Sequence, residues 1–159
     1  MQRIKLVILS VACWLATIMT SAIAEPPSLM QMIAKWQYPD SAMNDAEMAD
    51  GETIDSTGKR TTQSIVCKTV LTTDAPIEKV LEYYKTKLKP KANADVKQAV
   101  AADPSGRSIV FFDDSDGRPF VIHTVIVNDD RTSTTLVISR GKDESKTHIA
   151  WKHYQRLTP

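Results

Sequence analysis

Short polar connections separate four apolar segments in the last third of the chain. The segments are SIVFFD (Ser108–Asp113), FVIHTVIV (Phe120–Val127), TSTTLVISR (Thr132–Arg140) and HIAWKHY (His148–Tyr154). Each segment is rich in the β-branched and aromatic residues typical of strands, and Asp116-Gly117 favours a tight hairpin between the first two. Because the connections are too short for crossover helices, we predict four strands that pair as antiparallel neighbours.

A strand followed by a helix precedes this group. Ser64–Thr72 predicts a strand. One apolar stripe with helical spacing follows it, formed by Ile77, Val80, Leu81, Tyr84 and Leu88. We expect Asp74 to cap the first turn of this helix, and Pro76 is compatible with a helix start. The negative charges of Asp74 and Glu78 would repel an anion there, so this turn is interpreted as scaffold rather than as a phosphate site.

The N-terminal part of the fold is predicted to contain a second, shorter helix. Its apolar stripe consists of Leu29, Met32, Ile33 and Trp36. Ser28 and Gln31 match a capping box, and the helix should end before Tyr38-Pro39. The acidic segment Asp40–Asp55 is interpreted as a solvated connection, with room for a short edge strand over Ala42–Met48. Ala94–Ala101 predicts either a strand or a helical turn.

Together these elements predict an α+β fold. One long amphipathic helix packs on an antiparallel sheet of about five strands, in the order β-α-β-β-β-β, after the short N-terminal helix. Residues 1–24 have the charged start, apolar run and Ala-Ile-Ala ending of a cleaved signal peptide, which predicts a secreted or periplasmic protein. We therefore divide the chain into 1–24, a helix and acidic segment at 25–63, and an α+β core at 64–159 that forms a single domain with 25–63.

The charge balance of the expected mature chain argues against some partners. Loss of Arg3 and Lys5 from the 20 basic side chains leaves 18 against 19 acidic ones, or about −1. Such a chain has no overall field to attract nucleic acid or a membrane surface. After signal removal we expect no stable membrane anchor. Cys67 would be the one remaining cysteine, and its alternation with Ile65 and Leu71 predicts a buried, inert thiol.

No sequence motif in the chain predicts an enzyme, a cofactor or a metal. GxSxG, HExxH, CxxC and the glycine-rich phosphate loops are all missing from the sequence. Asp114-Ser115-Asp116-Gly117 lacks the other ligands of a calcium loop and is interpreted as a turn. His148 and His153 should lie on opposite faces of one strand. His123 could meet one of them only if their strands were neighbours, so a structural role is favoured for all three.

The segment FVIHTVIV has apolar residues on both of its alternating faces. Phe120, Ile122 and Ile126 share one face, and Val121, Val125 and Val127 share the other. A sheet with one wet face should alternate more cleanly, so we expect a cover on the second face. The candidates are the N-terminal helix, a second subunit, or a peptide or lipid ligand. The candidate partner or ligand surface consists of Val121, His123, Val125, Trp151 and Tyr154, although Trp151 beside Ile149 also suits a core position.

Two sequence patterns resemble known groups of domains. YPDSAM (Tyr38–Met43) followed by VLTTDAPIEKVLEYYKTKL (Val70–Leu88) resembles a loosely defined group of secreted bacterial domains. That resemblance implies an extracytoplasmic α+β domain and assigns no catalytic residue. The order of strand, helix and four strands also resembles a cystatin-type sheet wrapped on a helix. The cystatins' Gln-x-Val-x-Gly hairpin is missing here, so the likeness implies no protease inhibition.

Two functional hypotheses remain open from the sequence. The first is a non-enzymatic domain that binds a protein or peptide partner, or a second copy of itself, through a face or edge of the sheet. The alternative is a small-ligand-binding protein or enzyme with a pocket between helix and sheet. That pocket would be lined by Tyr83 or Tyr84, His123 and Trp151.

Overall fold

Seven strands form one antiparallel sheet in the part of the chain that the structure describes. The computed structural model describes residues 28–88, 98–102 and 106–157. The strands are β1 (Ala42–Ile54), β2 (Arg60–Thr73), β3 (Gln98–Ala102), β4 (Ser108–Asp113), β5 (Phe120–Asn128), β6 (Thr132–Gly141) and β7 (Thr147–Arg156). Their order across the sheet is β1-β2-β7-β6-β5-β4-β3. The α+β class, the antiparallel sheet and the four neighbouring C-terminal strands are thus confirmed, whereas the expected signal peptide lies outside the described residues.

The sheet is larger than the predicted one. It contains β1 and β3 in addition to the five expected strands, and its first long strand, β2, pairs with the last, β7. The segment 42–54, interpreted as a connection with a short edge strand, is one continuous edge strand because β2 is long enough to pair with nearly all of it. The predicted order β-α-β-β-β-β therefore leaves out two of the strands that the described residues form.

A bulge interrupts β1 at Asp45, which has a left-handed backbone with φ of 43°. The Thr69 hydroxyl lies opposite the bulge, 3.1 Å from the carbonyl oxygen of Asn44 and 2.7 Å from that of Asp45. Such an extra residue raises the local twist, which makes a long edge strand a poorer template for another chain. The acidic composition of β1 acts in the same direction.

Two helices pack side by side on the same face of the sheet in the described residues. They are α1 (Leu29–Trp36) and α2 (Ile77–Leu88). Ser28 and Gln31 form the predicted capping box of α1. The Tyr84 hydroxyl of α2 donates a 2.7 Å hydrogen bond to the carbonyl oxygen of Trp36, which joins the two helices.

A single hydrophobic core lies between the helices and this face. Its largest fully buried side chains include Trp151, Tyr84, Ile33, Leu71, Leu136, Ile138 and Ile149. The N-terminal helix was one expected cover for the opposite face of the sheet. That expectation is wrong, because the apolar side of α1 joins the core that α2 already covers.

The start of α2 also differs from expectation. The helix begins at Ile77, and Asp74 makes no hydrogen bond to a first-turn amide among the described residues. The turn is held instead through Ala75, whose carbonyl oxygen accepts bonds from Thr147 Oγ1 at 2.7 Å and Arg140 Nη1 at 3.3 Å. These contacts fix the strand-to-helix switch to β6 and β7.

Candidate functional site

The sheet face opposite the helices has no cover from the described residues, and we call it the open face. Cross-strand register and alternation define its members. On β4, β5, β6, β7 and β2 they include Val110, Phe112, Phe120, Ile122, Thr124, Ile126, Thr135, Val137, Ala150, Lys152, Tyr154, Val66, Lys68 and Val70. None of these side chains is buried, whereas alternate residues on the same strands, among them Cys67, Val125, Leu136 and Ile149, are buried in the core beneath the helices.

The open face is largely apolar over its β4 and β5 strands, and Val137 of β6 adjoins this area. Val110 lies opposite Ile126, and Phe112 lies opposite Thr124, which in turn lies opposite Val137. A solvated face of an antiparallel sheet is usually polar, because apolar and polar residues alternate along each strand. Contiguous apolar surface of this kind marks interaction sites in soluble proteins.

A shallow groove of about 720 Å³ continues the open face toward β1. Val70, Val137 and Ala150 are among the residues that line it, with Lys68 and Lys152 beside them. Val70 is 38% exposed, which is high for a valine in the second strand from the edge. The groove is thus an apolar strip flanked by charged side chains, and we call it the face groove.

Two lysines and two carboxylates, Asp45 and Glu47, line the face groove, and they are not all paired. Lys68 and Lys152 occupy directly opposed positions on β2 and β7, where like charges destabilise a sheet. Lys68 Nζ lies 2.9 Å from a carboxylate oxygen of Glu47. The side chain of Lys152 has neither an ion pair nor a hydrogen bond with any residue that the structure describes. The Lys152 ammonium therefore lies unpaired beside the apolar strip, and the carboxylates of Asp45 and Glu47 line the β1 side of the groove.

Two of the five residues of the candidate surface predicted from the sequence lie in the core under the helices. Val125 and Trp151 are buried in the core, with 0% and 1% exposure, so burial excludes them from a partner surface. Val121 and His123 lie on the same side of β5 as Val125, near the margin of the core, where Val121 is 38% exposed and His123 is half-buried. Of the five residues only Tyr154 lies on the open face, where it is half-buried opposite Val66.

The histidines do not converge. The strands of His123 and His153 are separated by β6, and His148 lies on the opposite face of β7 from His153. His123 Nδ1 is 3.6 Å from Asp113 Oδ1, and His148 Nε2 contacts a carboxylate oxygen of Glu144. No group of three or more potential metal-binding side chains occurs in the described segments.

Cys67 is fully buried, and burial raises the pKa of its thiol, as expected of an inert thiol.

The centre of the interface between α2 and the sheet is closely packed. Tyr84 is fully buried and Trp151 almost so, and burial raises the pKa of the Tyr84 phenol, with Tyr83 and Tyr38 adding to the effect. The alternative pocket, lined by a tyrosine with His123 and Trp151, is therefore filled at its expected centre. Cavities remain at the two ends of α2, of about 650 Å³ at its first turn and about 600 Å³ at its last.

Sequence reasoning missed the residues of the face groove. Lys68, Val70, Val137 and Lys152 look ordinary in their own strands. Their juxtaposition depends on the pairing of β2 with β7 and of β7 with β6. The signal that was present in the sequence is the apolar character of both alternating faces of β5. It correctly indicated that neither face of this strand has a polar pattern.

Comparison with known proteins gives little further information. No protein-family model matches the sequence, and no curated protein matches it significantly. A solved structure, CalU16 from Micromonospora echinospora, is similar over 70% of this chain and 71% of its own, at 11% identity and a TM-score of 0.25. A similarity at that level carries no functional argument.

Among the described helices, none has the length and apolar character needed to cross a membrane.

Proposed function

We propose that this protein is a non-enzymatic binding domain whose open face takes an extended protein or peptide segment. The segment combines apolar residues with at least one carboxylate. The observation that carries the proposal is the apolar open face itself, which has two helices on the other side and no cover from the described residues. Secretion or a periplasmic location remains part of the proposal.

Apolar burial supplies the driving force in this proposal. Peptide recognition on a sheet commonly places alternate side chains of an extended segment against the surface. Val70, Val137 and Ala150 give such a segment an apolar strip to contact. Removing this area from water contributes about 25 cal/mol per Å² before the entropy of ordering the peptide is subtracted.

The lysine pair gives the proposal its specificity. A carboxylate between Lys68 and Lys152 would offset the repulsion between the two ammonium groups, since Glu47 pairs with Lys68 alone. A basic or neutral segment gains nothing from this pair. Complementary charge of this kind selects partners more strongly than it raises affinity, and salt weakens it.

Three labelled peptides test the proposal. Each carries alternating valine and threonine and differs from the others only at its central residue, which is Glu, Gln or Lys. Binding is measured by fluorescence anisotropy at low and high salt. We expect the order Glu, Gln, Lys in decreasing affinity, with the difference reduced by salt, and we expect Lys152→Glu to reverse the order.

Lys146→Glu is the matched control, because Lys146 is exposed in the turn before β7 and outside the face groove. It should leave the order of the three peptides unchanged. Equal affinity for all three peptides, or equal effects of the two charge reversals, would contradict the proposal. Self-association through this face, detected by sedimentation of the unliganded protein, would also contradict it by placing a second copy on the open face.

A further inference from the structure

A cavity of about 600 Å³ lies on the helix side of the molecule, and we call it the end cavity. It is enclosed by α1, the C-terminal end of α2 and the adjoining end of the sheet. Its volume lies within the usual range for small-molecule sites. Because it is on the covered side of the sheet, it shares none of its lining residues with the face groove.

One part of the end cavity is apolar. Met32 and Trp36 of α1, Leu88 of α2 and Val127 of β5 line it. All four belong to the hydrophobic core, with exposures between 5% and 7%. The end cavity is therefore a gap at the margin of the core, where the two helices and the sheet stop short of close packing. A gap of this type favours an apolar group of matching size.

The polar part of the end cavity carries positive charge without a matching partner. Arg107 is half-buried and lines the cavity, yet it forms no hydrogen bond or ion pair with any described residue. Lys35 lines it from α1. The nearby carboxylate of Asp129 is occupied, because it accepts bonds from the backbone amides of Arg131 and Thr132 and from the Thr132 hydroxyl.

A buried imidazole adds a further unpartnered donor or acceptor. His153 is 8% exposed and lines the end cavity. Its Nδ1 is 2.7 Å from the hydroxyl of Thr134, and its ring stacks on Trp151. Its Nε2 has no hydrogen-bond partner among the described residues. This ring nitrogen is accessible from the end cavity and is therefore available to a ligand there.

We propose that the end cavity binds a small organic carboxylate that carries an apolar chain or ring. The carboxylate pairs with Arg107 and Lys35 and reaches His153 Nε2. The apolar part fills the gap beside Trp36 and Leu88. Arginine suits this role because its planar guanidinium can hold both oxygens of a carboxylate. The proposal does not rest on the open face, so its failure leaves the peptide-binding proposal intact.

Octanoate, octan-1-ol and inorganic phosphate separate the chemical requirements. Calorimetry should detect binding of octanoate, at least about tenfold weaker binding of octanol, and no binding of phosphate, because a charge-assisted hydrogen bond contributes about 1.5 to 3 kcal/mol and 1.4 kcal/mol is tenfold in affinity. Equal binding of octanoate and octanol would overturn the proposal, since it would show an apolar gap alone. Absence of octanoate binding would overturn it as well.

Variants locate the site. Arg107→Gln should weaken octanoate binding by about tenfold or more. Arg118→Gln, in the turn between β4 and β5 at the other end of α2, should not change it. Octanoate should also shift the NMR resonances of the His153 ring in the wild-type protein, a readout that does not depend on any variant folding. Unchanged His153 resonances at saturating octanoate would place the ligand elsewhere and overturn the assignment.

Discussion

Single residues stabilise parts of this fold whose local sequence has a low propensity for the structure they adopt. The clearest case is Thr69, which is 5% exposed and faces the bulge of β1. Its hydroxyl hydrogen can be shared between the carbonyl oxygens of Asn44 and Asp45. The strand β1 contains four acidic residues and a glycine, so it depends on contacts with β2 rather than on its own propensity.

Thr69→Val tests this dependence. The substitution keeps the shape of the side chain and removes the hydroxyl, leaving two carbonyl groups without that donor. We expect the free energy of unfolding to fall by about 1 to 2 kcal/mol. Thr135→Val is the control, because Thr135 is half-buried on the open face with no hydroxyl bond to a described residue. Urea denaturation compares the two, and equal effects would contradict this role of Thr69.

His153 should make the stability depend on pH. Burial, aided by the charge of Lys35 and opposed by Asp129, lowers the pKa of this histidine below 6.5. The unfolded chain therefore takes up a proton first as the pH falls through 6.5. The contribution of His153 to stability is complete above that pH and decreases below it, down to the pKa of the folded state.

His153→Asn should remove this part of the pH dependence, since asparagine can still reach Thr134 and does not titrate. The measurement is the urea midpoint between pH 7.5 and 5.

The loss of stability expected from protonation of Asp129 begins at a lower pH than the loss from His153. Burial raises the pKa of this carboxyl, but the hydrogen bonds from Thr132 and Arg131 outweigh it and hold the pKa below 3.8. If wild type and His153→Asn lose stability in parallel from pH 7.5 to 5, the buried imidazole is not the cause.

At the scale of elements, the contact between the two helices holds α1 against the face of the sheet that α2 covers. Tyr84 donates to the carbonyl oxygen of Trp36 at 2.7 Å, and Tyr83 donates to that of Gln37 at 3.2 Å. The rings of the two tyrosines also meet edge to face. The last turn of α1 is thereby tied to the middle of α2.

Tyr84→Phe should weaken this tie. The substitution leaves a buried carbonyl without its donor, so we expect a loss of about 1 to 3 kcal/mol in the free energy of unfolding. Trp36 should also become more accessible to quenching by acrylamide. Tyr83→Phe is the matched control at a longer, half-buried bond and should have a smaller effect on both measurements. A larger effect of Tyr83→Phe would contradict the assigned role of Tyr84.

The elements were predictable to the extent that their residues repeat with a clear period. The stripe of α2, the capping box of α1 and the alternation of β4 to β7 gave their positions to within a few residues. The full length of β1 was not predictable, because an exposed acidic edge strand has no apolar alternation. The side on which α1 packs was not predictable either. An apolar stripe predicts that one side of a helix is buried. It does not identify the face of the sheet against which the helix packs.

The candidate site followed only in part from the sequence, for a related reason. The apolar character of both faces of β5 could be predicted from the sequence, and it indicated that the sheet has a second apolar surface. Which face stays open depends on the placement of α1, and Val125 and Trp151 were consequently assigned to the surface when they lie in the core. The opposition of Lys68 and Lys152 depends on the pairing of the first and last long strands, which no local pattern encodes.

At the scale of the whole molecule, the two faces of one sheet differ in what covers them among the described residues. The covered face supplies the core and leaves the end cavity at its margin. The open face combines apolar surface with two opposed lysines, of which only Lys68 has an ion-pair partner among the described residues, and this combination supports the proposed partner site. A domain of this size usually covers both faces of such a sheet or makes the second one polar.

Photo-crosslinking in the cells that produce the protein tests the central claim most directly. A benzoylphenylalanine placed at Val137 lies on the open face, and one placed at Ser56 lies at the tip of the β1–β2 hairpin, away from it. We predict an adduct of defined mass with another protein from position 137 alone, and its loss when Lys152→Glu is added. The claim is contradicted if position 137 gives no adduct, gives only the dimer of this chain, or gives the same products as position 56.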